Sequence, residues 1–213
     1  MVMDKTYSNV QLSKQLSWLL RHGAQKEGLT IQPDGFVSIN EILKHSRFGS
    51  QYTREKLRQI VSTDAKQRYT LRSNPLTGAE EIRANQGHSL KAVQSEVCME
   101  RIGSISELPS AVVHGTYYSN WERIKIEGLK RMQRNHVHFA LFNGDGDNRA
   151  VLSGFRSDCQ VLIYLNVAKV LGDQLPMFRS SNNVILCAGI DGCIDKRYFE
   201  RAIERRSKRP LSF

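Results

Sequence analysis

Arginine and histidine stand in this chain where apolar runs end and alternating strings begin. Arg21 and His22 close the run "LSWLL" (16–20), directly before Gly23. Arg68 opens "RYTLRS", Arg83 lies in "EEIRA" just ahead of "NQGHS" with its Gln86 and His88, and Arg156 stands in "SGFRSD". His114 sits in "VVHGT", followed by Gly115 and Thr116, while His136 and His138 share "HVHFA". The planar guanidinium fork matches a phosphate dianion bidentately. Imidazole titrates near neutrality, and Gly115 permits a ligand to approach the backbone closely. Several arginines and a histidine around a phosphate are therefore chemistry that these residue types could perform. Each also has a plainer reading. Arg21-His22-Gly23 suits a helix C-terminus, where cations meet the negative end of the dipole and glycine takes the left-handed position. A single arginine is usually solvated or ion-paired, and a single strand histidine half-buried and hydrogen-bonded.

Other chemistries find no footing. There is no G-x-S-x-G, P-loop, H-E-x-x-H, or G-x-G-x-x-G after a strand. "NGDGD" (143–147) lacks the ligand series of a calcium loop and reads as a turn. His136 and His138 fall on one face of a strand, a spacing zinc can use, but no third-ligand pattern accompanies them, so no metal is expected. Cys98, Cys159, Cys187 and Cys193 form no C-x-x-C pair, which indicates neither a zinc site nor a disulfide framework. The best apolar run, "VLIYL" (161–165), is strand-sized, and "MVMDKTYSNV" lacks a signal-peptide layout. An intracellular protein of cytoplasm or nucleus, monomeric and without membrane contact, is the expectation. The net charge of +10 over 213 residues is uneven. Residues 1–100 carry 14 Lys/Arg against 10 Asp/Glu, residues 101–195 carry 10 against 9, and residues 196–213 carry 7 against 2. A polyanionic partner fits this balance, and so does a solvated basic surface.

The elements that must position these residues follow from periodicity. Ser13 precedes a helical stretch, "KQLSWLLRH". "GFVSI" (35–39) follows a Pro-Asp-Gly turn and reads as a strand; Asn40 can then cap the short helix "EILKHS". Thr53 opens a helix whose Leu57, Ile60 and Val61 share a face. "RYTLRS" and "EEIRA" alternate like strands around the turn "NPLTG". Helix, strand, helix, helix and hairpin form the order of a winged-helix domain. A linker occupies 85–109, and the boundary is placed so that the domains are 1–104 and 105–213. Beyond it the chain is β-rich, with strands at 110–118, 136–141, 159–167 and 182–188. One helix, "NWERIKIEG" (120–128), intervenes and stops at Gly128. The periodicity predicts a last helix in "KRYFERAIERR", with Tyr198, Phe199, Ala202 and Ile203 on one side.

The strings "LSKQLSWLLRHGA", "GFVSINEIL", "KQRY", "EIRANQGHS", "VVHGT", "NHVHFA", "SGFRSDCQVLIYL" and "FRSSNNVIL" occur in this order. They resemble the NAD-dependent tRNA 2′-phosphotransferase family over about residues 10–200. The resemblance implies an α+β protein: an N-terminal winged helix followed by a C-terminal, β-rich ADP-ribosyltransferase-like domain. It implies removal of the splice-junction 2′-phosphate from ligated tRNA, with NAD+ as co-substrate and acceptor and no metal. The reaction passes through an ADP-ribosylated 2′-phosphate RNA and yields mature tRNA, nicotinamide and ADP-ribose 1″,2″-cyclic phosphate. The family's catalytic Arg-His dyad matches Arg21 and His22. Its second arginine matches Arg68, and its third, after a glycine at the start of a strand, matches Arg156. His114, Gly115 and Thr116 match the NAD-binding His-Gly-Thr, His138 the second-strand histidine, and Arg83, Gln86 and His88 the RNA-side string. The tail after about residue 204 lies outside the resemblance; the basic segment from Lys196 either grips tRNA or is a solvated helix, and the solvated reading is the expectation. Two alternatives share these features: an ADP-ribosyltransferase acting on terminal phosphates of nucleic acid, and a non-catalytic winged-helix RNA-binding protein.

Overall fold

Ser8 starts the first helix, α1 (Asn9–Trp18), with a reciprocal cap: its Oγ accepts from the Gln11 N–H while the Gln11 side chain accepts from the Ser8 N–H. The computed structural model describes residues 8–108, 110–142, 153, 154, 156 and 158–213, and of Ser95 only the backbone. The turn expected at "NGDGD" lies outside these residues. The chain is of mixed α+β class and divides into two units, the first ending at Val97 and the second starting at Cys98. Each has its own apolar core. This division falls earlier than the expected 104/105, because residues 100–102 pair with a strand of the second unit.

In the first unit α1 begins before the expected Ser13, which lies within the helix. The helix does not stop at a left-handed glycine either. It widens into a π-helical turn, Leu19–Gly23, closed by the Ala24 N–H donating to Leu19 O at 2.8 Å. Gly23 does not take the left-handed conformation; the first glycine that does so is Gly28. Glycine is required at 23 for a different reason: a Cβ there would stand 2.6 Å from the Trp18 ring. A π-helical turn is a rare feature that often marks a functional position, and this one carries Arg21 and His22.

Next come β1 (Val37–Ser38), α2 (Ile39–Lys44) and α3 (Arg54–Ser62). Ser38, not Asn40, precedes α2; Asn40 lies inside the helix, where its side chain accepts from Arg54. Thr53 caps α3 as expected, accepting from the Lys56 N–H at 3.1 Å. The hairpin β2 (Tyr69–Ser73) and β3 (Glu80–Ala84) completes a three-stranded antiparallel sheet in the order β1-β3-β2. Tyr69 ties this sheet to the helix. Its hydroxyl lies 2.6 Å from both Ser13 O and Ser17 Oγ, contacts worth about 1 kcal/mol each. The helix that ends in Arg21 is thereby fixed against the strand that Arg68 precedes.

The second unit contains β4 (Glu100–Ile102), β5 (Ala111–Thr116), α4 (Tyr118–Glu127), β6 (Leu129–Lys130), β7 (Val137–Phe142), β8 (Val161–Leu165) and α5 (Val167–Gly172). After these come β9 (Met177–Arg179), β10 (Val184–Cys187), β11 (Cys193–Ile194), β12 (Phe199–Glu204) and β13 (Pro210–Leu211). Eight strands form one antiparallel sheet in the order β13-β12-β8-β5-β7-β10-β9-β4, and β6 pairs with β11. The predicted strands appear as β5, β7, β8 and β10, and α4 stops at Gly128 with φ +81.

The predicted C-terminal helix is absent. A short 3-10 turn, Lys196–Tyr198, leads into β12 instead. A β-bulge between Phe199 and Arg201 explains the misleading pattern, since it shifts the register against β8 by one residue. Phe199 and Ala202 then face the same core at a spacing of three, as they would on a helix.

Candidate active site

The first unit builds a cationic turn. Ser89 grips the end of the π-helical turn twice: its N–H donates to Arg21 O at 3.0 Å, and its Oγ lies 2.9 Å from His22 Nδ1. The Arg21 stem lies over Gly87, whose φ is +90; a Cβ at 87 would stand 3.3 Å from Arg21 Nε. Only glycine combines that backbone angle with that clearance. Arg68 follows the same logic at the entry to β2. Its guanidinium is ion-paired with Asp64, and its N–H donates to Asp64 Oδ2 at 2.6 Å. The Asn85 N–H donates to Arg68 O at 2.8 Å, while the Asn85 side chain accepts from Thr70 Oγ1 and donates to Gln67 O. The Arg68 side chain keeps 33% of its surface exposed, so the Asp64 pair orients the fork without enclosing it. Lys66 adds a third positive charge beside it; burial, then the Arg68 cation, lowers its pKa from the usual lysine range.

The remaining residues of the RNA-side string support this turn. Gln86 and His88 are 9% and 4% exposed, and His88 packs on Gly35. Arg83 lies over the Phe36 ring at 4.8 Å and donates to Asp34 O at 3.4 Å. Gln86 and His88 are thus buried, while Arg83 is half-buried.

In the second unit the central sheet forks. The β5–β7 ladder runs from Ala111↔Phe142 to Val113↔Ala140 and ends there. Beyond that point β5 continues paired to β8 as far as Thr116↔Val161, and β7 continues paired to β10 as far as Val137↔Cys187. The two strands therefore part from each other while each keeps its outer neighbour. His114 stands at the fork, where its Nδ1 donates to His138 O at 2.8 Å in place of a ladder bond. A carbonyl can only accept, so Nδ1 carries the proton and Nε2 offers a lone pair. The segment 153–154 crosses β7 at the fork, with Gly154 against the backbone of Phe139 and Ala140. Residues on parting strand edges, with one ring acceptor and unladdered backbone groups, suit a polar ligand that enters between them.

Positive charge gathers beside this fork. Burial first, then the Arg134 charge, holds the His114 imidazole below its ordinary value of 6.5, against the raising effect of its bond to His138. Arg134 keeps an exposed surface, yet crowding by the protein, with the Arg156 cation second, lowers its pKa. The reverse holds for Arg156: a hydrogen bond to Tyr117 OH at 3.3 Å, then Asp158 nearby, strengthens its charge. Tyr117 in turn donates to Asp158. Arg156 does not begin a strand as expected; it lies exposed in the connection ahead of β8.

His114 also predicts a pH dependence of stability. The unfolded chain protonates this ring near 6.5, whereas the folded unit resists the proton. Stability is therefore expected to fall as pH drops below about 6.5, toward the depressed folded value. Thermal unfolding from pH 7.5 to 5 would show this as a falling Tm whose slope flattens in His114→Asn. Equal slopes in both proteins would remove His114 as the source.

Residues 7–189 match the model of the RNA 2'-phosphotransferase, Tpt1 / KptA family. The chain belongs to this family. It is 41% identical over 207 residues to tRNA 2'-phosphotransferase 1 of Bos taurus, spanning 96% of this chain and 79% of that one. It is 39% identical over 196 residues to the protein of that name from Danio rerio, spanning 91% and 85%. It is 40% identical over 195 residues to tRNA 2'-phosphotransferase of Saccharomyces cerevisiae, spanning 89% and 83%. Within this member of the RNA 2'-phosphotransferase family, Arg21 and His22 share one turn held by Ser89, and His114 meets His138 at the fork. Gly115 and Thr116 continue β5 along β8. Ser89, Asp64 and Arg134 had no role in the sequence reading. Ser89 lies inside the quoted "NQGHS", and Arg134 immediately precedes "NHVHFA", so proximity to those strings was the available signal.

Proposed function

We propose that the protein removes the splice-junction 2′-phosphate from ligated tRNA by transferring it to NAD+, in two steps through an ADP-ribosylated 2′-phosphate RNA. Its products are mature tRNA, nicotinamide and ADP-ribose 1″,2″-cyclic phosphate. The family and the names of its relatives support the phosphate chemistry, and the observation that carries the reading is the Arg21–His22 turn gripped by Ser89. A turn that fixes one guanidinium and one imidazole side by side suits a phosphate dianion better than a base or a sugar.

The second unit fits NAD+ on its donor set. His114 Nε2 can accept from a ribose hydroxyl at the fork, and Arg134 and Arg156 offer charge to phosphate groups. Bound there, NAD+ supplies the C1″ centre that the RNA phosphate attacks and nicotinamide as a neutral leaving group. Because the nucleophile is already an anion, the protein's part in that attack is orientation. In the later transfer of the phosphoryl group to ribose, negative charge builds on the phosphoryl oxygens. Fixed guanidiniums such as Arg21 and Arg68 act most strongly there. His22 is held at Nδ1 by Ser89, and its imidazole can bind the phosphate or pass a proton.

The test uses a short RNA with one radiolabelled internal 2′-phosphate, incubated with pure protein with and without NAD+. Label is expected to move to a small nucleotide product only when NAD+ is present. Label retained on RNA that gains the mass of ADP-ribose would instead show a transferase that stops after the first step. RNA bound but unchanged in both tubes would show a binding protein.

A further inference from the structure

Arg134 owes its place to another arginine, three residues earlier in the chain, for which the reaction as read above has no use. β6 and β11 pair through Lys130↔Cys193, and the Arg131 N–H carries this ribbon one step further by donating to Gly192 O at 2.9 Å. There a two-residue turn, Asp191-Gly192, closes between Ile190 and Cys193, whose N–H groups donate to each other's carbonyls at 2.8 and 2.9 Å. The φ angles are +50 at Asp191 and +81 at Gly192, the left-handed pair that an Asp-Gly turn supplies. The Arg131 side chain lies directly on this glycine: a Cβ at 192 would stand 2.8 Å from Arg131 Nε.

From that seat Arg131 reaches back to its own chain. Its Nη1 donates to Arg134 O at 2.6 Å, while the Arg134 N–H donates to Arg131 O at 3.1 Å. One residue thus holds both main-chain groups of Arg134. The residues between them have little packing to hold them otherwise. Met132, Gln133 and Arg134 are all exposed, and Met132 takes φ +55, an uncommon angle for any residue but glycine. The clasp matters because of what Arg134 does from this position. Among the described residues, the cation that disfavours protonation of the His114 ring is Arg134, not Arg131. Arg131 spends its fork on a carbonyl, a charge-assisted bond that orients the main chain.

We propose that Arg131 is a positioning residue: by clasping the Arg134 main chain over Gly192, it holds the Arg134 guanidinium where a phosphate group of NAD+ meets it. The inference rests on the reading of the fork as the NAD+ site, and it names the device that sets one cation of that site in place. Arg131 itself touches neither substrate, and Gly192 belongs to the same device because only glycine leaves room for the Arg131 stem.

Three variants test this. Arg131→Met keeps a stem over Gly192 and loses the donor, Arg131→Lys keeps a donor, and Gly192→Ala keeps every charge but crowds Arg131. In the protein without ligand, NMR of the His114 ring should show its titration moved upward in Arg131→Met and in Gly192→Ala. Arg134→Ala should move it the same way, and Arg131→Lys less than any of these. KM for NAD+ should rise about tenfold in Arg131→Met, with kcat at saturating NAD+ within about twofold of wild type. Because Arg131 acts through Arg134, Arg131→Met/Arg134→Ala should lose no more than Arg134→Ala alone. An unmoved His114 titration with an unchanged KM would overturn the proposal. Losses that add in the double variant would overturn it too, by showing that Arg131 works apart from Arg134. Should Arg131→Met fail to fold, Gly192→Ala and Arg131→Lys decide by the same His114 readout. If wild type did not bind NAD+, the reading of the fork would fall, and the ligand-free titrations would still decide the clasp.

Discussion

Arg21→Lys should be nearly as inactive as Arg21→Ala, both losing at least about 10²-fold in turnover of a 2′-phosphorylated RNA. The structure makes this expectation sharp, because the guanidinium is held in three ways. Its main chain is fixed by the Ser89 N–H, its stem runs over Gly87, and its helix is bound to the sheet through Tyr69. A fork held so firmly meets two phosphoryl oxygens at once, whereas an ammonium on a flexible stem supplies a point charge. The location adds to the requirement. Arg21 sits at the C-terminal end of a helix, where the dipole disfavours an anion, so the side chain alone must supply the attraction. The Ser89 bond is to the Arg21 carbonyl, which both variants keep, so their circular dichroism and Tm should stay close to wild type. The loss should fall mainly on the phosphoryl-transfer step, so RNA-linked ADP-ribose builds up in both variants. Wild-type-like turnover by Arg21→Lys would show that charge suffices and that the fork has no special part.

Much of this arrangement is legible in the sequence, because short-range chemistry determines it. The Thr53 cap, the hairpin around "NPLTG" and the Gly128 stop each depend on neighbours within a few residues, and each stands where local rules place it. The errors share an opposite cause. Gly23 reads as a left-handed cap until the Trp18 ring is seen lying on it, a packing demand that no cap rule contains. Phe199 and Ala202 read as helical because a bulge against β8 turns a period of two into a spacing of three. Asn40 loses the cap to Ser38, since the chain enters α2 directly from β1. Among the candidate site residues, a tertiary contact again decides what the sequence leaves open. "LLRHG" shows two cations at a helix end, but Ser89, 67 residues from His22, is what fixes them. Arg134 is shaped by burial and by the Arg156 cation, and it acts in turn on His114, through contacts that only the folding of distant segments creates.

That environment sets Arg134, to which the sequence gives no role, above Arg156, which the family resemblance singles out. Arg134→Ala should cost more than Arg156→Ala, about 10²-fold against less than about tenfold in kcat/KM for NAD-dependent turnover. Arg156 is exposed, and Tyr117 and Asp158 already engage its charge. An anion arriving there would meet a cation that is partly compensated and screened by water, and such contacts contribute little. Among the described residues, Arg134 has neither an acidic neighbour nor a hydrogen bond that strengthens its charge; crowding and a second cation make its charged form costlier than in water. A negative ligand removes that cost, so binding it gains both the new attraction and relief of the repulsion from Arg156. The same relief reaches His114, whose ring is held neutral in part by Arg134. Removing Arg134 should therefore raise the His114 pKa toward its ordinary value, a shift that NMR of the ring would read without any turnover. Equal losses in the two variants, with no movement of the His114 titration, would show that Arg134 stands apart from the site and that Arg156 is its equal.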